Sequence, residues 1–143
     1  WMREVGRCEH DPSGLAAERN AHRYRPLSGG VLVRCGSHAS ARERELLVAA
    51  SRATGARTVW SDADEPAAVL AARLGALGID RLRLIGDDVD TARHEIRVAA
   101  HVAHVSVDDA PPVGAAEIEL PKWLHEQAVT TTMHRHGRLI HDV

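Results

Sequence analysis

The chain has little with which to cross-link itself, hold a polyanion or enter a bilayer. Two cysteines, Cys8 and Cys35, stand in 143 residues, too few for a disulfide scaffold. A strand-end cysteine in an alternating α/β pattern reads as a buried thiol in a reducing compartment, so the expected location is cytoplasmic. Among 18 lysines and arginines only Lys122 is lysine, a bias that fits a GC-rich coding sequence better than selection for guanidinium chemistry. The formal net charge of −2 and scattered arginines give no field to attract nucleic acid, which is not an expected partner. No apolar run approaches the ~20 residues of a membrane span, and no secretory signal, repeat, heptad or low-complexity run is found. An initiator methionine is also missing: the chain opens on Trp1 and reads as a fragment of a longer one. What is present, 44% hydrophobic and 27% charged residues, is the balance of one globular domain able to build its own core.

That core is organised around residues 29–60. Val31, Leu32 and Val33 form a short strand entered through Gly29-Gly30 and ended by Gly36. Ser40 with Glu43 is a capping-box pattern. Leu46, Leu47, Ala49, Ala50 and Ala53 then recur on one helical face and Gly55 stops the helix, before a second strand at Thr58-Val59-Trp60. Asp64 with Glu65 and Pro66 predicts a second helix start, followed by Leu70, Leu74 and Leu77 at helical spacing and a stop at Gly78. Arg81-Leu-Arg-Leu-Ile85 alternates, which predicts a strand with one solvated face near a sheet edge. Asp87 and Asp88 read as turn and cap, Val89, Ala92, Ile96 and Ala99 as a third amphipathic helix, and His101 to Val107 as a further strand.

The fold class expected is therefore α/β: an open, mostly parallel sheet with helices on both faces, Rossmann-like. Residues 1–28 read as an irregular lead-in with a turn at Asp11-Pro12-Ser13-Gly14 and an extended piece from Ala21 to Leu27. Residues 29–113 form the α/β part. Residues 114–143 supply a short helix around Pro121 with Ile118, Leu120, Trp123 and Leu124, a threonine-rich strand from Ala128 to Met133, and a tail from His134. All belong to one domain in this reading.

Chemistry is hard to find in this pattern. Gly36 stands where a dinucleotide-binding fold places its phosphate loop, but the three-glycine fingerprint that lets backbone approach a pyrophosphate is not there. His94-Glu95 and His125-Glu126 each lack the second histidine of a zinc-protease helix, His101 and His104 would face opposite sides of a strand, and only His134 and His136 share a face. Ser37-His38 lacks the nucleophile elbow, and Cys35 beside Arg34 has no recognisable base. Catalytic, cofactor and metal residues are therefore not assigned to this chain.

Two segments carry a resemblance. Glu18-Arg-Asn-Ala-His-Arg-Tyr-Arg-Pro-Leu27 leading into Val31-Leu-Val-Arg34, and Trp123-Leu-His-Glu-Gln-Ala-Val-Thr-Thr-Thr-Met-His-Arg-His-Gly137, resemble the C-terminal region of the bifunctional proline dehydrogenase/L-glutamate γ-semialdehyde dehydrogenases, the proline utilization A family. The resemblance implies a parent enzyme that oxidises proline to glutamate with FAD and NAD. It also implies an aldehyde-dehydrogenase-superfamily-like fold for this piece, which covers a substrate tunnel and stabilises the parent without catalysing. The family's catalytic cysteine, general-base glutamate, NAD loop and flavin barrel would lie before Trp1. The implied partners are the catalytic domains in cis, with homo-oligomerisation of the parent left open. Polar composition beside a threonine-rich strand makes Leu124 to Gly137 an edge or docking strand, with Glu126, Gln127, Val129, Thr130, Thr132, His134 and Gly137 as its candidate contact residues. The alternative is a stand-alone α/β protein that binds a nucleotide or small ligand in the crevice beside Gly36.

Overall fold

The computed structural model describes residues 1–86, 90–135 and 138–139. The expected Asp87-Asp88 cap and Val89 lie outside them. In chain order the elements are a π-helical turn at Met2–Gly6, β1 (Glu9–His10), β2 (Glu18–Pro26), β3 (Val31–Cys35), α1 (Ala41–Thr54), β4 (Thr58–Asp62), α2 (Ala67–Leu74), β5 (Arg81–Ile85), α3 (Asp90–Val102), β6 (Ser106–Asp108), α4 (Ala116–Glu119), a 3-10 turn at Leu120–Trp123, β7 (Leu124–Thr132), β8 (His134–Arg135) and β9 (Arg138–Leu139). They divide into two compact units, one of residues 26–124 and one of residues 1–25 with 125–143.

The larger unit is a parallel sheet in the order β4-β3-β5-β6. Its register sets which side chains share a face: Leu32 lies opposite Leu82 and Arg34 opposite Leu84, so these four project one way and Val31, Val33, Cys35, Arg83 and Ile85 the other. On the first side Leu32, Leu82 and Leu84 pack with Leu70 and Leu74 of α2 and with Ile96 and Ala100 of α3. Each leucine or isoleucine among them contributes about 1.5–3 kcal/mol on burial. On the second side lie α1, whose Leu47 and Ala50 are buried, and the α4 segment, which brings in Leu120 and Trp123. Helices thus cover both faces, as the alternating pattern predicts.

Local signals explain most of the boundaries. Glu43 N–H donates to Ser40 Oγ at 3.2 Å and Ser40 N–H to Glu43 Oε2 at 2.8 Å, completing the capping box, and Gly55 closes α1 in the left-handed region. Four expectations need correction. The N-cap of α2 is Pro66, not Asp64, and Glu65 instead forms a two-pronged pair with Arg73 at 2.5 and 2.8 Å. The helix α3 runs on through His101 to Val102, and His104 takes a positive φ of 56° in the following turn, so the strand starts only at Ser106. The lead-in is more regular than expected, because the extended piece begins at Glu18 and pairs with strands on both sides. Ile118 is 56% exposed and stays outside the core that its neighbours Leu120, Trp123 and Leu124 join.

The largest departure is β5. Its alternating arginines suggested a wet face, yet β5 is an interior strand and Arg83 is 0% exposed. The guanidinium is tolerated because two carboxylates come to it, Glu119 Oε1 at 2.9 Å and Asp108 Oδ2 at 2.6 Å. Glu119 is buried as well, and it also accepts from Trp123 Nε1 at 3.1 Å and from the Val113 amide at 3.2 Å. Period-two patterning records polarity, whereas burial here depends on partners 25 and 36 positions further along the chain.

Two predictions follow from these pairs. Arg83→Met leaves the buried Glu119 with only the more distant Lys122 Nζ, 3.6 Å away, as counter-charge and is expected to cost up to about 3–5 kcal/mol in urea denaturation. Adding Glu119→Gln should recover part of that loss, because the charge goes while an acceptor for Trp123 remains. The second concerns pH. Arg73 holds the Glu65 carboxyl down from its ordinary 4.5 to about 2, so the pair's contribution is complete above 4.5 and is lost as pH falls through about 2. Arg73→Gln should flatten that part of the acid-stability profile, measured as denaturation midpoints across the same interval.

Candidate interaction surface

The residues singled out for docking fall in the smaller unit. Its sheet has the order β1-β2-β7, and β1 pairs with β2 antiparallel, Glu9 opposite Arg23 and His10 opposite His22. Later residues of the β2 segment meet earlier residues of β7: Met133 N–H donates to Ala17 O at 2.9 Å, Thr130 Oγ1 to Asn20 Oδ1 at 2.7 Å, and Arg23 Nε to Gln127 Oε1 at 2.7 Å. These two strands therefore also run antiparallel. Among the described residues β7 has no strand on its other side, and beyond Leu124 nothing on it is buried. An edge strand is what its mixed threonine and charged composition predicts.

Glu126, Gln127, Val129, Thr130 and Thr132 all lie on β7. Glu126 meets His22 Nε2 at 2.7 Å and is 62% exposed on its side chain, Gln127 and Thr130 are tied to β2, and Val129 and Thr132 are open to solvent. The backbone of His134 belongs to β8, which pairs antiparallel with β9, so the expected tail contains a short strand pair. Gly137 and His136 lie outside the described residues.

Residues of β2 complete this surface and were not among the candidates. His22 packs edge-on against Tyr24 with ring centroids 5.3 Å apart, His10 lies 5.7 Å from His22, and Trp1 lies 5.2 Å from Tyr24. Burial first, and then the nearby Glu126 charge, push the Tyr24 phenol above its usual pKa. Arg23 spans the sheet, its Nη1 reaching Glu9 Oε2 at 3.1 Å. Asn20, His22 and Tyr24 stand at alternate positions of β2, but that spacing does not identify β7 as the neighbour. The lead-in's turn is held by Asp11, whose carboxylate accepts from Ser13 and from the Asn20 amide and stays well below the usual carboxylate range.

The rival site beside Gly36 sits where β3 hands over to β5, the place at which open α/β sheets take ligands. Backbone bonds span that place. Gly36 N–H donates to Ile85 O at 2.8 Å and His38 N–H to Gly86 O at 3.0 Å. Gly86 has φ of +69°, and a Cβ there would stand 2.1 Å from the Ala39 nitrogen, so the two loops touch through their main chains. Cys35 beneath them is buried, and neither it nor Cys8 forms a disulfide. Among the described residues, no group of three His, Cys, Asp or Glu side chains is placed to hold a metal ion, and no helix is long and apolar enough to cross a membrane.

Gly86→Ala should destabilise the chain by at least about 2 kcal/mol, combining a left-handed backbone with a main-chain collision. Urea midpoints of the variant and wild type check this. A near-neutral result would mean that the two loops separate easily and the crevice can open.

No description of a known protein family matches the chain, and no curated protein matches it. Among solved structures it is similar to Proline Utilization A (PutA) from Corynebacterium freiburgense, with 31% sequence identity and a TM-score of 0.62. The likeness covers 94% of this chain and 12% of that one. The chain therefore matches, over nearly all its length, a small part of a much longer PutA protein.

Proposed function

We propose that this chain is a non-catalytic domain of a proline-catabolic bifunctional enzyme, docking through the β7 edge onto that enzyme's catalytic domains in cis. The observation that carries the reading is the likeness of 94% of this chain to 12% of a PutA chain, a proportion that fits one domain among several. The resemblance of Glu18–Leu27 and Trp123–Gly137 to the C-terminal region of that family supports placing the piece there. In this reading the parent uses FAD and NAD for the oxidation of proline to glutamate, while this segment covers the substrate tunnel and contributes no cofactor ligand.

A strand edge with no neighbour among the described residues suits that role. Its free N–H and C=O groups can extend a sheet of the partner, while Glu126, Val129, Thr130 and Thr132 supply a polar rim with one apolar contact. The stand-alone ligand-binding alternative is disfavoured by the main-chain bonds across the crevice beside Gly36.

The test is deletion of residues 125–143 in the longer chain proposed to carry this segment. Coupled conversion of proline to glutamate, or assembly of the enzyme, should be impaired. In this chain alone the same deletion is expected to shift the melting temperature of the 26–124 unit only slightly, because its core residues lie between Val31 and Leu124. Unimpaired coupling together with normal assembly would sink the docking role. Tight, saturable binding of a dinucleotide by this chain alone would favour the alternative.

A further inference from the structure

The α/β unit begins at Pro26 and ends at Leu124, and both of its ends are held by two adjacent residues at the start of β5. Asp80 takes the beginning: its Oδ2 accepts from the Gly29 amide at 2.6 Å, the Gly30 amide at 3.2 Å and Ser28 Oγ at 3.5 Å. The Asp80 amide returns a bond to Gly30 O at 3.0 Å. Arg81 takes the end, where its Nη1 donates to the carbonyls of Lys122 at 2.5 Å, Pro121 at 3.3 Å and Leu124 at 3.4 Å. Ser106 stands behind both, since its hydroxyl accepts from Arg81 Nε and donates to Asp80 O.

The glycine pair is what lets Asp80 reach main chain. A Cβ at Gly29 would lie 2.1 Å from Gly78 O, and one at Gly30, whose φ is +94°, would lie 2.3 Å from Arg57 O. Only residues without side chains pass this close, and they present two amides in succession to one carboxylate oxygen. Arg81 exploits the opposite polarity: three carbonyls at the close of a 3-10 turn converge on one guanidinium group.

We propose that Asp80-Arg81 is a clamp that joins the two ends of the α/β unit, so that β2 and β7 pair as if they were the arms of a single hairpin. Two strands separated by so long a stretch of chain otherwise pay a closure entropy that grows with the logarithm of its length. With the ends clamped, the effective loop is a few residues long and pairing becomes a local event. The clamp makes presentation of the β7 edge conditional on a folded α/β unit, whether or not that edge docks on anything.

Amide hydrogen exchange of the 143-residue chain, compared with Arg81→Gln and Asp80→Asn, tests this. The clamp predicts exchange faster by about tenfold or more at amides of β2 and β7, with those of Leu32, Leu82 and Ile96 unchanged. Equal acceleration in both sets would make the pair ordinary supports of the core and overturn the clamp, as would no change in β2 and β7. Should Arg81→Gln fail to fold, Asp80→Asn, which keeps an acceptor oxygen, decides alone. Unfolding or uniform acceleration in that variant also overturns it.

Discussion

A buried guanidinium charge needs counter-charge close by, and much of this structure follows from bringing two carboxylates to Arg83. Its two carboxylates come from separate later segments, Asp108 at the end of β6 and Glu119 at the end of α4. Pairing therefore fixes where the fourth strand of the sheet stops and where the following short helix lies. Glu119 in turn organises the Val113 amide and the Trp123 indole, drawing the largest fully buried side chain of the unit under the sheet. An apolar residue at position 83 could fill the same space, and by itself a buried ion pair adds little net stability. What it supplies is a constraint on the 108–123 segment, since a placement that withdraws both Asp108 and Glu119 leaves the Arg83 charge buried without a counter-charge.

The same interaction shows where reading from sequence alone succeeds and where it stops. Capping, glycine stops and helical spacing are local, and Ser40, Glu43, Gly55 and the Leu70–Leu74 pair behave as those rules require. The order of elements and the parallel sheet covered on both faces were legible for the same reason. Arg83 was misplaced because its burial is determined by residues far along the chain, which no window of periodicity contains. The strand at His101 was misjudged because Ala103, Val105 and Val107 keep a period of two while Ala99, Val102 and Ala103 keep helical spacing, and the two patterns overlap over this short run. The candidate contact residues were placed on an edge strand by composition, but their partners in β2 went unnoticed, since a pairing across the whole α/β unit leaves no mark on local spacing.

These observations bear on function through what the fold keeps closed and what it leaves open. The crevice that a doubly wound sheet offers to ligands is bridged here by main-chain bonds, with Gly86 set against Ala39. Among the described residues, β7 has a strand on one side only. An open strand edge of this kind suits a polypeptide partner, in keeping with the docking role proposed for it.

The convergence of Gly29 and Leu124 on neighbouring residues of β5 has a topological meaning. Residues 26–124 interrupt a strand pair, and their entry and exit sit side by side. That is the arrangement of a domain inserted into a host, and it is also the arrangement that circular permutation requires. A short peptide could join Leu124 back to Pro26 and new termini could be cut in an exposed turn such as the one at Gly55, giving an autonomous α/β unit freed from the sheet it now interrupts.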